Sequence, residues 1–251
     1  MSPLPALLDD RLWFPDAHDA VKRGPHAGLV AVGGDLSVPR LVLAYRSGLF
    51  PWTADPVTWW SPDPRGIFEL DQFHVSRSLA RTVRKGAFEV TFDRAFREVI
   101  TACAKTRRPG GWISAEFIAA YTALHEAGHA HSVECWQAGK LVGGVYGVAV
   151  GGLFAGESMF HRADDASKVA LFHLVGRLRA QGFTLFDTQM VTPATRPLGG
   201  TEISRTDYLR RLTTAVAIQL VWDPLPHEKN TLKDSESAGR GDSPLRVRFG
   251  V

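Results

Sequence analysis

The chain has 251 residues, of which 45% are hydrophobic and 22% charged, with a formal net charge of +3. This length allows one large domain or two modest ones with a hydrophobic core, and it excludes a mini-scaffold. The longest uncharged apolar run, residues 141–156, contains six glycines, which excludes a transmembrane helix in this run.

Cysteine content and the first residues of the chain indicate the compartment. Cys103 and Cys135 are the only cysteines, too few for a disulfide framework or a thiolate zinc site, so we expect both to be reduced and buried. The chain starts with MSPLPALLDD, which lacks the basic region of a secretory signal. We therefore predict a cytoplasmic protein.

Positive charge is concentrated in one part of the chain. Residues 77–108 contain nine lysines and arginines against three acids, a local charge of +6. Arginine predominates, and its guanidinium group binds phosphates through two parallel hydrogen bonds. Such a zone is typical of a protein that binds a polyanion, above all nucleic acid, although a solvated charged face has the same composition.

The first predicted element is a helix that Ser37 caps, that carries Pro39 in its first turn and that Gly48 ends. Residues 50–66 follow, rich in proline and tryptophan, and are predicted to be extended. Their tryptophan rings either pack as a lid or stay exposed for stacking.

Strands and helices then alternate, which predicts a mixed α/β (α+β) fold. We predict, in order, a strand to Phe73, a helix from Ser76 to Gly86, a strand FEVTF, a helix capped by Asp93 that runs to Thr106, a helix capped by Ser114 and ended by Gly128, a strand HSVECW, a hairpin of LVGGVYGVAV and LFAGESMF, a helix over 166–181, a strand TLFDTQM and a helix capped by Thr206. The polar residues 226–251 are predicted to form a disordered tail.

Two short motifs resemble hydrolase signatures, and we reject both. HEAGH matches the zincin pattern, but Gly128 is expected to end the helix and so to separate His129 from His125. A structural histidine is the better interpretation, with Glu134 or Glu157 left as possible third ligands. GESMF lacks the second glycine of the serine-hydrolase elbow.

Three polar residues interrupt predicted core strands. Glu157 lies in the second hairpin strand, and Asp187 and Gln189 are two residues apart in TLFDTQM, so the strand period places them on one face. Burying such groups unpaired costs a few kcal/mol each, on the order of 2–7. They are therefore either bonded to one another or lining a cavity that takes a ligand.

The order of hairpin, helix, strand and helix is that of the carboxyl half of a GNAT-type acyltransferase core, an analogy of fold that proves no activity. The segment before the helix at 166–181 reads HRADDASK. It lacks the glycine-rich loop that binds a pyrophosphate, which argues against a user of acetyl-coenzyme A.

The chain resembles the bacterial leucyl/phenylalanyl-tRNA protein transferase family over residues 12–215. The resemblance rests on segments that occur in the family's order: GLVAVGGDLSVPRLVLAYRSGLFPW, WWSPDPRG, HVSRSL, WIS, YTALHEAGHAHSVE, LVGGVYGVAVGGLFAGESMF, ASKVAL, DTQ and LGGTEISRTDYLRRL. WWSPDPRG and the pairing of FAGESMF with D-x-Q are the most specific.

This resemblance implies a small N-terminal domain over 1–62, a GNAT-like catalytic domain over 63–225 and the tail over 226–251. It implies the transfer of leucine or phenylalanine, and sometimes methionine, from aminoacyl-tRNA to proteins that begin with Arg or Lys, which marks them for N-degron proteolysis. We expect a monomer without membrane association, metal or cofactor.

The resemblance gives roles to the polar residues in the strands. The carbonyl oxygen of Gln189, polarised by Asp187, is expected to accept a hydrogen bond from the attacking amine, and Asp187 to take up developing positive charge. Glu157 is the candidate partner for the basic side chain of the acceptor.

The resemblance also implies binding residues. The 3′-terminal adenosine is assigned to Trp52 and Trp112, the aminoacyl pocket to Val145, Phe154, Leu171 and Leu178, and the tRNA backbone to Arg77, Arg81, Arg84 and Lys85. Val145 replaces a larger methionine expected in relatives, which leaves the preference for Leu or Phe open. The alternatives are a non-catalytic RNA-binding protein on the same scaffold and a zinc peptidase.

Overall fold

The computed structural model describes residues 4–106 and 112–223, which form two β-sheets with helices between and around them. The N-terminal sheet has four strands in the order β1-β2-β4-β3. Its elements are β1 Ala6–Leu8, β2 Leu29–Gly33, α1 Val38–Arg46, β3 Phe50–Ala54 and β4 Val57–Trp60.

The second sheet has seven strands in the order β11-β5-β10-β9-β8-β7-β6. Neighbouring strands in it are antiparallel except β9 and β10, which are parallel. The strands are β5 Arg65–Phe68, β6 Glu89–Phe92, β7 Ala130–Gln137, β8 Lys140–Val150, β9 Leu153–His161, β10 Leu185–Gln189 and β11 Gly200–Ile203. The helices are α2 Arg77–Arg84, α3 Phe96–Ala104, α4 Ala115–Glu126, α5 Ala166–Ala180 and α6 Arg205–Ala217.

Hydrophobic clusters cover both faces of the seven-stranded sheet. α5 packs on β7, β8 and β9 from one side, within a cluster that also includes Leu79 and Val83 of α2. The other cluster joins α3, α4 and α6 to the N-terminal sheet, with Trp59 of β4 among its completely buried members. The N-terminal sheet and the second sheet therefore share a core.

The predicted mixed α+β class is confirmed, and three predicted boundaries are wrong. The strand expected to reach Phe73 ends at Phe68, because residues 70–72 form a 3-10 turn. Helix α3 is preceded by Ala95 and not capped by Asp93, which adopts a φ of 57° and accepts hydrogen bonds from the Ser132 N–H and His131.

The third wrong boundary is the cap of α6. The Ser204 hydroxyl accepts the hydrogen bond from the Asp207 N–H, so Ser204 and not Thr206 is the N-cap. At α1 the predicted N-cap residue Ser37 is confirmed, although its side chain makes no capping hydrogen bond. The predicted Ser76 and Ser114 caps do form their bonds.

Parts of the sequence-based predictions lie outside the described residues. These are Arg107 and Arg108 of the basic zone and the predicted tail at 226–251. Within 4–106 and 112–223, no helix has both the length and the hydropathy of a membrane span.

Candidate functional site

A cavity of about 370 Å³ opens beside β9 and the end of β10. Its walls are mostly apolar, with a few hydroxyl groups, and Glu157 is the only acid or base among the described residues that line it. The lining residues are Phe68, Val145, Gly156, Glu157, Ser158, Met159, Leu171, Phe186, Thr188, Met190, Thr192, Pro193, Ala194 and Thr195.

Two of the four residues predicted for an aminoacyl pocket line this cavity, namely Val145 and Leu171. The other two, Phe154 and Leu178, are not among the residues that line it and lie in the buried core next to it. Phe154 packs edge-on against Phe186, with ring centroids 5.5 Å apart, and so supports the cavity wall from behind. Leu178 is completely buried in the same cluster.

Glu157 is the centre of a hydrogen-bond cluster. Its Oε1 atom accepts from the Tyr45 hydroxyl at 2.8 Å and from Nε2 of Gln189 at 2.8 Å. Its Oε2 atom accepts from the Tyr121 hydroxyl at 3.4 Å, and the two tyrosine oxygens are 2.5 Å apart. Two helices, α1 and α4, and one strand besides β9, namely β10, therefore contribute side chains that bond this carboxylate.

The surroundings of Glu157 favour its neutral form. Burial raises the pKa of this carboxyl to about 7, and the nearby charge of Asp187 acts in the same direction. Hydrogen bonds from Tyr45, Gln189 and Tyr121 stabilise the carboxylate and limit the rise. The group consequently changes its charge near neutral pH.

Asp187 is completely buried and bonded to Arg65. Nε of Arg65 donates to Oδ1 at 2.8 Å, and Nη2 donates to Oδ2 at 2.6 Å, the two-bond geometry that makes such pairs strong. The Tyr208 hydroxyl donates to Oδ2 at 3.0 Å, and the Gln189 N–H donates to Oδ1 at 2.8 Å. Asp187 thus has four donors and does not line the cavity.

The strand period does not hold at Gln189. A register shift separates Asp187 from Gln189, and Gln189 adopts a φ of 56°, in the left-handed region that costs a non-glycine residue of order 1–3 kcal/mol. Its side chain reaches Glu157, whereas Asp187 holds only its backbone N–H. The expected contact between the two side chains is therefore replaced by a contact between Gln189 and Glu157.

The N-terminal part of the chain contributes directly to this site. Tyr45 belongs to α1, and the carbonyl oxygen of Gly48, just after α1, accepts a hydrogen bond from Nη1 of Arg65 at 3.1 Å. The Arg65 guanidinium also lies 4.9 Å from the ring centroid of Phe50 in β3. The cluster around Glu157 and Asp187 is thus assembled from both sheets and their helices.

Sequence reasoning missed Arg65, Tyr45 and Tyr121. Asp187 and Glu157 were singled out because each is a charged residue in an apolar strand. The same signal applies to Arg65, because all four residues of its strand are buried. The two tyrosines gave no such signal, because a tyrosine on a helix is ordinarily a core residue.

Two family models match this chain. Residues 67–213 match the model described as leucyl/phenylalanyl-tRNA protein transferase, and residues 34–63 match the model of its N-terminal domain. The chain belongs to the leucyl/phenylalanyl-tRNA protein transferase family.

Curated relatives carry the same name. The leucyl/phenylalanyl-tRNA–protein transferase of Syntrophotalea carbinolica is 49% identical over 218 residues, which cover 85% of this chain and 93% of the relative. That of Nitratidesulfovibrio vulgaris strain DP4 is 52% identical over 214 residues, which cover 83% and 90%.

The likeness to solved structures is weak. The structure of L-PGS from Bacillus licheniformis matches with a TM-score of 0.33 and 14% identity, over 56% of this chain and 45% of that chain. This is too low to identify a fold, so the GNAT-like description of the second sheet stays a prediction.

The two tryptophans that the family resemblance assigns to the terminal adenosine lie outside the cavity lining. Trp52 in β3 is 38% exposed and packs near Phe50 and Trp60, with ring centroids 6.1 and 6.5 Å away. Trp112, just before α4, is half-buried and meets Phe117 edge-on at 5.3 Å. Trp52 therefore has a ring surface open to a partner.

The four basic residues that we assigned to the tRNA backbone are on or next to α2, and all are exposed: Arg77, Arg81, Arg84 and Lys85. The opposite side of the helix is anchored by the buried side chains of Leu79 and Val83. The helix therefore presents a basic face to solvent, as the spacing predicted.

The histidines of HEAGH do not form a zincin site. α4 ends at Glu126 and Gly128 follows with a φ of 78°, so His129 is not on the helix that carries His125. Within the described residues, one group has three ligand atoms close enough for a metal ion, made by His125, Asp93 and His131.

Each histidine of that group already has an oxygen partner at Nδ1. His131 Nδ1 is 2.9 Å from Oδ2 of Asp93, and His125 Nδ1 is 2.7 Å from the carbonyl oxygen of Ala130. These bonds engage Nδ1 of both rings with protein oxygens, which fits a structural role for the two histidines.

Proposed function

We propose that this protein transfers leucine or phenylalanine, and methionine less often, from aminoacyl-tRNA to the α-amine of proteins that begin with Arg or Lys. The observation that carries this proposal is the apolar cavity with a single carboxylate, Glu157, among the residues that line it. The cavity suits an apolar side chain, and the carboxylate suits a cationic acceptor. Family membership supplies the reaction class.

The cavity wall explains a relaxed choice of donor. Val145 and Leu171 present apolar surface to about 370 Å³ of space, and a difference of one methylene in such a pocket changes binding by only about 1–3 kcal/mol. Leucine and phenylalanine are therefore both acceptable. Because Val145 is small, we expect the larger side chain to be tolerated well.

The chemistry requires positioning more than activation. An amine attacks the ester that links the amino acid to the tRNA ribose, an amide forms and the ribose hydroxyl leaves, and this balance needs no cofactor. Because Nε2 of Gln189 bonds Glu157, the carbonyl oxygen of Gln189 is the atom left to accept a hydrogen bond from the amine.

Asp187 has a different role from the one the sequence suggested. Its oxygens accept four hydrogen bonds, so it holds Arg65 and the backbone of Gln189 in place and does not receive the charge of the amine. We therefore propose that Asp187 is a positioning residue, and that Gln189 owes its left-handed backbone to this bond.

The tRNA binds along the basic face of α2 without reading sequence, and the exposed ring of Trp52 stacks on the terminal adenosine together with Trp112. The protein works as a monomer in the cytoplasm, and its products are degraded because of their new N-terminal residue. The fold of residues 63–225 is GNAT-like in this proposal.

The test is transfer of radiolabelled leucine or phenylalanine from charged tRNA to two peptides that differ only in Arg or Ala at the N-terminus, with chelator present. Label on the Arg peptide alone is the expected result, and it would also exclude a zinc peptidase. Label on neither peptide, despite measurable tRNA binding, would overturn the proposal in favour of a non-catalytic RNA-binding protein.

A further inference from the structure

The proposed reaction releases a proton that has to be accepted. An α-amine has a pKa of about 7.7–8.0, so at neutral pH most acceptor molecules carry an α-ammonium group without a lone pair. Attack on the ester therefore begins with the loss of one proton. A base within hydrogen-bond reach of the amine contributes about 10²–10⁴-fold to the rate of such a step.

The cavity offers one group for this task. Among the described residues that line it, Glu157 is the only titratable side chain. Asp187 is completely buried and has four donors, and Gln189 is an amide, which is not a base at neutral pH. The cavity therefore offers one candidate base, Glu157, and the neighbouring Asp187 and Gln189 are suited only to positioning.

The hydrogen bonds around Glu157 can absorb a proton without leaving a donor unpaired. When the carboxylate is ionised, Tyr121 donates to the Tyr45 oxygen and Tyr45 donates to Oε1, which leaves Oε2 able to accept a proton. When Oε2 carries a proton, it donates to the Tyr121 oxygen, Tyr121 donates to the Tyr45 oxygen, and Tyr45 still donates to Oε1. Both protonation states thus give every hydroxyl an acceptor, and the protonated state closes the ring.

We propose that Glu157 is the base that takes the proton of the acceptor's α-ammonium, and that Tyr45 and Tyr121 are positioning residues that hold it for this transfer. The inference rests on the proposed function and changes the role of one residue in it. Glu157 contacts the α-nitrogen of the acceptor, whereas the family resemblance implied a contact with the acceptor's basic side chain.

The Glu157 carboxylate takes one proton from the α-ammonium, and the freed lone pair forms the bond to the ester carbonyl carbon. The bond from that carbon to the ribose oxygen breaks, and the ribose oxygen takes a second proton from the same nitrogen. Glu157 then releases its proton to solvent, so the net products are an amide, a tRNA with a free hydroxyl and one proton.

The electrostatics suit a base that works at neutral pH. Burial raises the pKa of Glu157 to about 7, close to that of an α-amine, so proton transfer between them is nearly balanced. The polar and charged groups around Glu157 are Tyr45 of α1, Tyr121 of α4, Arg65 of β5, and Asp187 and Gln189 of β10. Two of them, Arg65 and Asp187, are charged and neutralise each other.

The first experiment measures single-turnover transfer to the Arg peptide between pH 6 and 9, for the wild type and for Glu157→Gln. We expect the wild-type rate to rise through pH of about 7 and then to level off. In Glu157→Gln only the fraction of acceptor that is already neutral reacts, so its rate rises tenfold per pH unit up to about pH 8. The loss is at most about tenfold at pH 7, where roughly a tenth of the α-amine is neutral, and it nearly disappears at pH 8.5.

Tyrosine variants test the positioning role. Tyr45→Phe removes a hydrogen bond that stabilises the carboxylate, so the rising limb is expected to move to higher pH, with the rate restored at pH 8.5. Tyr121→Phe shifts the limb in the same direction by less, because its bond is longer. Tyr208→Phe is the matched control, an equally buried tyrosine that bonds Asp187 and leaves the midpoint unchanged.

Three results would overturn the inference. The first is a Glu157→Gln enzyme with the wild-type pH profile. The second is a Glu157→Gln enzyme that keeps the profile but accepts the Ala peptide, which would restore the side-chain role. The third is a Tyr45→Phe or Tyr121→Phe enzyme whose rate is lowered equally at every pH. A wild type that labels neither peptide would instead contradict the proposed function, so the two failures are distinguishable.

Discussion

Arg65 and Asp187 form the most buried ion pair of the site, with at most 1% of either side chain exposed. Arg65→Met keeps much of the volume and leaves the carboxylate without its counter-charge. Breaking such a pair costs about 3–5 kcal/mol, because one buried charge stays unpaired. We therefore expect Arg65→Met to lower the free energy of unfolding by about 3–5 kcal/mol in urea denaturation.

A control for this variant is Arg211→Met. Arg211 and Glu69 are paired at 2.6 Å as well, but each side chain is 36% exposed. Water then solvates the carboxylate that has lost its partner, and we expect the free energy of unfolding to fall by less than about 1 kcal/mol. Equal losses in the two variants would show that burial does not decide the strength of the Arg65 pair.

At the residue scale the sequence predicted the acids and missed their partners. Glu157 and Asp187 were found because an acid in an apolar strand needs a reason to be there. The side of the strand on which Gln189 lies could not be predicted, because the register shift before it breaks the period of two. Nothing in a linear pattern shows that α1 brings Tyr45 to β9.

Helix α2 is the element for which a charge prediction can be made. We expect Arg81→Ala with Arg84→Ala to weaken tRNA binding and to flatten its dependence on salt by a slope of up to about 2, since each phosphate contact contributes about 0.7–0.9. The transfer rate at saturating tRNA stays close to that of the wild type. Binding titrations at several salt concentrations measure the slope.

Two controls accompany the α2 variant. Arg210→Ala removes an exposed arginine of α6 that is paired with Asp207 and leaves the slope unchanged. Gln189→Ala lowers the transfer rate and leaves the slope unchanged, because Gln189 belongs to the cluster at Glu157. Equal loss of tRNA affinity in the α2 and Gln189 variants would contradict this division of roles.

At the element scale, the order from β5 to α6 was predictable except for β11, whereas β1 and β2 were missed and the ends of the elements were not predictable. Glycines end α1 and α4, and the turn at Gly151 forms the hairpin of β8 and β9, so these signals were unambiguous. Caps were harder, because several residues that can cap stand close together before α3 and α6 and only the fold decides among them. Two of the four residues predicted for the aminoacyl pocket line the cavity, because apolar residues of β9 and α5 lie in the core as readily as in a cavity wall.

At the scale of the molecule, Gly48 lies where α1 meets α6. It has a φ of +79°, and a Cβ there would be 2.5 Å from Cδ2 of Leu209. Its carbonyl oxygen also accepts a bond from Arg65. We expect Gly48→Ala to destabilise the protein by more than the cost of about 1–2 kcal/mol for the backbone alone, and to slow transfer. Thermal unfolding and the transfer assay measure the two effects.

Gly128→Ala separates backbone strain from packing. Gly128 has nearly the same φ, +78°, but nothing lies within 4 Å of a Cβ at that position. We expect the free energy of unfolding to fall by about 1–2 kcal/mol and the transfer rate to stay unchanged. If Gly48→Ala behaves no differently, the contact between α1 and α6 does not set the geometry of the site.

The place of β5 in the sheet has a consequence for how the protein is made. β5 lies between β10 and β11, and its Arg65 pairs with an aspartate that is 122 residues further along the chain. A ribosome that adds about 5–20 residues per second needs roughly 6–24 seconds for that distance. During this time the nascent chain carries an apolar strand without neighbours, the kind of segment that chaperones protect from aggregation. A chain interrupted before β10 therefore cannot build the Arg65 pair, and the site forms only after β10 has been synthesised.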